Sequence, residues 1–153
     1  MKTRFLVPVA LIAAVMTVPL NADDIEEQIE KYMEVAREGK DHAAAKKIGE
    51  KILASEKDAG QLNEFAWKIL TEEGIKHRDL ELGMKVAKAA FDACEGKEAA
   101  IVDTYARAFF ESGKREEALK WQKRAIEICT DDNLKSELEE TLKLYEKKPE
   151  EKK

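Results

Sequence analysis

The side chains able to do chemistry are few and scattered. Cys94 and Cys129 are the only thiols, and no Cys-x-x-Cys pair occurs. His42 and His77 stand far apart, with no Cys, Asp or Glu at a recognised ligand spacing around them. Each therefore reads as a solvated loop or cap residue rather than a metal ligand or base. Ser55, Ser112 and Ser136 fall at helix ends or on polar stretches, not in the sharp strand-to-helix turn that exposes a nucleophilic serine. The many Glu residues alternate with Lys at helical spacing, the pattern of a solvated face. Together these features point away from an enzyme, with no catalytic residue, cofactor or metal expected.

Composition narrows the class. The 153 residues are 44% hydrophobic and 39% charged, with a formal net charge of −5. A mixture rich in Ala, Leu, Glu and Lys favours helix almost throughout. Acidic character with interspersed signs argues against nucleic acid, whose phosphates need concentrated Lys and Arg. Lys2 and Arg4 precede the uncharged apolar run from Phe5 to Leu20, and Leu20-Asn21-Ala22 fits a small-residue cleavage site. Residues 1–22 thus read as a secretory signal peptide. The rival is a retained anchor, but the run is shorter than the roughly 20 residues of a spanning helix and Pro8 and Pro19 interrupt it. No Cys follows the run, so a lipoprotein anchor is not indicated. Export, to a bacterial periplasm, is the expected destination, with no stable membrane insertion after cleavage.

The elements that must position any site are helical. Ile25, Ile29, Tyr32, Met33 and Ala36 recur at spacings of three and four, and Gly39 can end their helix. Asp41 can cap the next, whose apolar line is Ala44, Ala45, Ile48, Ile52 and Leu53. Gly49 in its middle costs about 1 kcal/mol against Ala, so either two helices approach closely there or this hairpin, residues 23–57, is the weaker part. After a polar break at Glu56 to Gly60, two further hairpins fill residues 58–131. LNEFAWKIL, from Leu62, lies on VDTYARAFF, from Val102, at an offset of 40. Their second helices match at an offset of 35, pairing Gly83, Val86, Ala90 and Cys94 with Ala118, Trp121, Ala125 and Cys129. The extra residues of the first copy fit the Gly74 to Arg78 connection before a cap at Asp79. A last helix, residues 132–147, carries Leu134, Leu138, Thr141, Leu142 and Tyr145 on one face, with Asp131 or Asp132 as its cap. It closes the array, and the ending at residues 148–153 has nothing to bury.

A period near 35 with two helices per unit is the mark of a helical solenoid. The copy from Lys97 to Thr130 resembles a tetratricopeptide repeat, with Ala106 at a close approach, Tyr105 and Phe109 beside it, Gly113 ending the first helix, and Ala118 and Ala125 lining the second. It departs from that pattern at Gln122, where an aromatic is common, and at Thr130, where Pro is common. The run from LNEFAW to KRAIEIC is also similar to the repeat region that follows the thioredoxin-like domain of some exported bacterial proteins, although no thioredoxin motif stands here. The resemblance implies an all-α stack of antiparallel hairpins with a capping helix.

It also implies a function. First helices of successive hairpins would line a concave groove, presenting Asn63, Trp67 and Leu70 from one copy and Asp103, Arg107 and Phe110 from the next to a protein or peptide partner. The plainer reading is packing: Trp67 and Phe110 covered by neighbouring hairpins, Arg107 stacked on Trp67, and Trp121 wedged against the cap. Equivalent positions one repeat apart are too distant for a disulfide, which needs Cα atoms within about 7 Å, so Cys94 and Cys129 are expected to be free. The leading expectation is a non-enzymatic scaffold. The alternatives are an accessory subunit of a thioredoxin-like redox system acting through one thiol, and a small-molecule carrier with a cavity between hairpins.

Overall fold

The computed structural model describes residues 22–76 and 78–147, so the expected leader apart from Ala22, His77 and the ending at 148–153 lie outside the described residues. Seven helices account for the architecture: α1 (Ala22–Glu38), α2 (His42–Ser55), α3 (Ala59–Thr71), α4 (Leu80–Ala93), α5 (Ala99–Glu111), α6 (Arg115–Ile128) and α7 (Asp132–Glu146). No strand occurs among the described residues. Consecutive helices pair as α1 with α2, α3 with α4 and α5 with α6, and α7 closes the end against α5 and α6. None of these helices is long and apolar enough to cross a membrane.

Four helix starts, those of α2, α3, α4 and α7, share one device. The carboxylates of Asp41, Asp58, Asp79 and Asp131 accept from the backbone N–H three residues on, at 2.8 to 2.9 Å, satisfying a donor that has no partner within the helix. The cap at Asp58 starts α3 at Ala59, three residues before the apolar run that marks it in sequence. Gly39 and Gly113, at φ +62° and +74°, turn the chain just after α1 and α5, in a region that L side chains avoid. Arginines complete other ends. Arg78 donates from Nη1 to the Ile69 carbonyl at 2.5 Å and from Nη2 to Glu72 O at 2.8 Å, while Arg115 donates to the carbonyls of Tyr145 and Glu146 at the end of α7.

The offsets read from sequence carry over to whole elements. α5 starts and ends 40 residues after α3, α6 starts and ends 35 after α4, and the difference lies in the longer connection from Glu72 to Asp79. The first hairpin follows the same register, which its sequence does not advertise. Ala45, Gly49 and Ile52 of α2 are buried at the spacing of Gly83, Ala87 and Ala90 in α4 and of Ala118, Gln122 and Ala125 in α6.

Small residues occur in these rows where a neighbour comes close. A Cβ on Gly49 would lie 2.3 Å from Leu82 Cδ2 and 3.2 Å from Tyr32 Cε2, and one on Gly83 would lie 2.9 Å from Leu70 Cδ2. Gly49 therefore marks a close approach, the first of the two readings of its sequence. Tyr32, buried beside it, meets Phe65 edge-on at 5.1 Å, and burial pushes its phenol up to about 12. A second aromatic cluster joins α4, α5 and α6: Trp121 meets Phe91 at 5.0 Å and Tyr105 at 5.4 Å. The ring partners of Trp121 are thus on α4 and α5, and it also packs against the clusters that hold Leu138 and Tyr145 of α7.

Gly49→Ala should lower stability by about 1–2 kcal/mol, the overpacking against Leu82 and Tyr32 exceeding the helix-propensity gain. Gly60→Ala, whose Cβ would meet only the Asp58 carboxylate at 3.2 Å, should gain a few tenths of a kcal/mol. Urea unfolding of the two variants checks both signs.

Candidate functional site

The six residues expected to share a groove separate into different environments. Leu70 is only 1% exposed and packs where α3 meets Gly83 of α4, so it does not face outward. Phe110 stacks on Tyr145 of α7, with ring centroids 4.2 Å apart and planes within 17°; the cap helix covers it. The physical reason is the same in both cases. On a helix, Leu70 lies about 40° from buried Ala66 but about 60° from Trp67, which puts it at the edge of the core stripe, and Phe110 holds the equivalent edge of α5.

Asp103 and Arg107 belong to the joint between α5, α6 and α7. Gln122, fully buried on α6, donates from Nε2 to Asp103 Oδ1 at 2.7 Å and to the Leu138 carbonyl at 3.1 Å. One of the two residues that depart from the tetratricopeptide pattern thus ties the cap to the last hairpin. Burial holds the Asp103 carboxyl above the ordinary Asp range; the Gln122 hydrogen bond and the Arg107 charge oppose this, and Glu137 on α7 adds to it. Tyr145 is buried, and desolvation likewise raises its phenol. Arg107 donates from Nε to Glu111 Oε1 at 2.8 Å, with Nη2 in ion-pair contact with the same oxygen at 2.7 Å, so its guanidinium is engaged along its own helix.

Asn63 and Trp67 remain on an open face. Trp67 is 41% exposed. Asn63, one turn earlier, is half-buried, and its Oδ1 is shielded from solvent without a hydrogen-bond partner. Beside them Lys68 reaches from α3 to Glu30 of α1 at 2.9 Å and lies 3.5 Å from Glu64; the Lys68 hydrogen bond holds the Glu30 carboxyl below its usual range. A hollow lined by Glu26, Ile29, Glu30, Glu64 and Lys68 opens between α1 and α3. The spacing of Glu64 and Lys68 is legible in sequence as an i,i+4 pair, whereas the Glu30 contact needs the packing of α1 on α3.

Chemistry elsewhere stays sparse. Both cysteines are free, as their spacing predicts. Cys94 Sγ lies 3.4 Å from the Phe91 carbonyl and Cys129 Sγ 3.3 Å from that of Asp131, partners that accept from a thiol and offer nothing to a thiolate. Among the described residues no group of three or more His, Cys, Asp or Glu could hold a metal ion. Comparison with known proteins finds no matching family model, no matching curated protein and no matching solved structure.

Two substitutions test the joint at Gln122. Gln122→Ala should cost about 2–3 kcal/mol in urea unfolding, since it empties a buried site and removes a donor shared by Asp103 and Leu138 O. Asp103→Asn probes the charge alone, because an amide oxygen still accepts from Gln122. With its folded pKa above the unfolded one, Asp103 makes stability fall as pH rises from the ordinary Asp range through the raised value, and constant above it. The variant should lose that component, seen as the difference between the two unfolding profiles from about pH 4 to 7, and should match or exceed the parent at neutral pH. Lower stability at neutral pH would mean that Arg107 and Gln122 outweigh the burial.

Proposed function

We propose that this protein is a non-enzymatic, exported, tetratricopeptide-like scaffold that holds another protein on the face formed by its first helices, centred on Trp67. The observation that carries the reading is the exposure of Trp67 on a well-packed helix. Tryptophan is among the residues that dominate binding energy at protein interfaces, and a solvated indole forgoes about 2–3 kcal/mol of burial. The rest of α3 supports it, since Leu62, Phe65, Ala66, Ile69 and Leu70 are buried and hold the exposed face rigid. Asp103, Arg107 and Phe110 act in this reading as supports of the cap rather than as contacts, which moves the binding face toward α1 and α3. The apolar leader read in residues 5–20 is the basis for placing the protein outside the cytoplasm.

The test compares the exposed large hydrophobic residues of the described chain, Trp67 and Leu144. With thermal unfolding unchanged, Trp67→Ala should reduce recovery of a crosslinked partner from the native compartment by about 30-fold, the loss of a 2 kcal/mol hot spot. Leu144→Ala, on the cap, should leave recovery unchanged. Equal recovery from both variants would remove the basis of the reading.

A further inference from the structure

A second apolar surface lies away from α3. Leu80 and Met84 in the first turns of α4, with Ser112 and Lys114 at the turn from α5 to α6, line a groove of about 440 Å³ that also has Glu81 and Lys85 in its wall. Leu80 and Met84 are half-buried, packed on the core from one side and open on the other. Glu81 and Lys85 offset each other at 2.6 Å. Among the described residues Lys114 is in no ion pair; its ammonium lies 6.0 Å from the centre of the Phe109 ring. The groove is open to solvent and cannot enclose most of a small molecule's surface, as small-ligand sites do. It fits instead an apolar side chain carried on another surface, with a negative charge beside it.

The chain itself carries such a side chain. Leu144 is 48% exposed, on the helix that closes the stack and whose inward contacts Leu138 and Tyr145 supply. A terminal helix needs only one apolar face, so packing does not account for a leucine outside it. Glu140, one turn earlier on the same face, is exposed and in no ion pair among the described residues. Lys147, about a turn later, flanks the leucine on the other side. The knob therefore brings one charge of each sign, and the groove has Lys114 and Glu81 to meet them.

Knob and groove share one corner of the molecule. Arg115, the residue after Lys114, donates to the carbonyls of Tyr145 and Glu146, the two residues after Leu144. We propose that this corner is a surface for a second copy of the chain, in a two-fold dimer where Leu144 of each copy enters the other's groove against Leu80 and Met84, and Glu140 of each meets the other's Lys114. Because both halves of the contact lie together, one two-fold axis makes both at once, and the assembly closes at two rather than growing. Two leucine anchors and two solvated ion pairs, opposed by the net charge of −5 on each copy, support a weak dimer with a Kd of about 0.1 mM.

Sedimentation velocity of the purified protein, from about 10 μM to about 1 mM so as to bracket that Kd, tests the proposal. A reversible monomer–dimer equilibrium is expected. Trp67→Ala should leave it unchanged, which keeps this surface distinct from the face of the scaffold reading. Leu144→Ser should weaken the dimer at least about tenfold, with helical circular dichroism and thermal unfolding unchanged. Lys114→Glu and Glu140→Lys should each weaken it about tenfold, through two like-charge contacts per dimer. Combined in one chain, the two reversals should bring Kd back to within about threefold of the parent. Glu139→Lys, exposed on a different face of α7, should shift it by less than about twofold. A protein that stays monomeric across this range overturns the proposal. So do a dimer indifferent to Leu144→Ser, a double reversal no tighter than the single ones, and species that keep growing beyond the dimer as concentration rises.

Discussion

The stack depends on how closely its helices approach at a few small residues. Side chains normally keep helix axes 8 to 10 Å apart, and the second helices place Ala45, Gly49, Gly83, Ala87, Ala90, Ala118 and Ala125 at their buried positions. Larger neighbours then fill the space. Leu82 and Tyr32 close on Gly49, while Leu70 and Ile69 close on Gly83. Small against large at a repeated register lets each hairpin dock with little void, and voids are what destabilise cores of this kind. The glycines carry an intrinsic helix cost of about 1 kcal/mol each, which is sustained because the alternative is a clash with a packed side chain.

The last joint is built differently. The α5–α6 hairpin does not meet a further hairpin but a single helix, and the residue facing it from α6 is Gln122 rather than an apolar one. Its amide bridges Asp103 on α5 and the Leu138 carbonyl on α7, so the end of the stack is fixed by directed bonds as well as by Leu138 and Tyr145. Directed bonds specify one docking angle for α7 where apolar packing alone would tolerate several. The same joint absorbs Phe110 through its stacking on Tyr145. Closing the stack uses the outermost face of the last hairpin.

Sequence periodicity therefore made the frame legible more fully than the site. The offsets of 40 and 35 are reproduced by whole helices, and the added connection sits where the offsets differ. Equivalence in register does not carry equivalence in environment. Trp67 and Arg107 occupy matching positions, yet one is an open indole and the other is tied to Glu111. Asn63 and Asp103 also match, and only Asp103 meets a buried amide. Leu70 and Phe110 were placed outward by sharing a face with Trp67 and Arg107, but a position a few tens of degrees from the core stripe is decided by the neighbouring helix, which one strand of sequence does not display. The third copy of the register, in α2, was hidden because Gly49 and Ile52 stand where the other copies have Ala or Gln.

The first joint combines apolar packing with ion pairs. α4 runs along α5 and α6 along α7, but α2 meets α4 while α1 meets α3. The α1–α3 contact carries ion pairs in two places, Glu30 with Lys68 and Arg37 with Glu72 at 2.7 Å. These groups are partly solvated, and exposed pairs of this kind contribute about 0–1 kcal/mol, so they do not hold the hairpin in place; Ile25, Ile29, Met33 and their buried neighbours do that. The Glu30–Lys68 pair lies in the lining of the hollow that Glu26, Ile29 and Glu64 complete. The pairing ties Lys68 down between Glu30 and Glu64, while Trp67, the residue before it on the same helix, stays exposed.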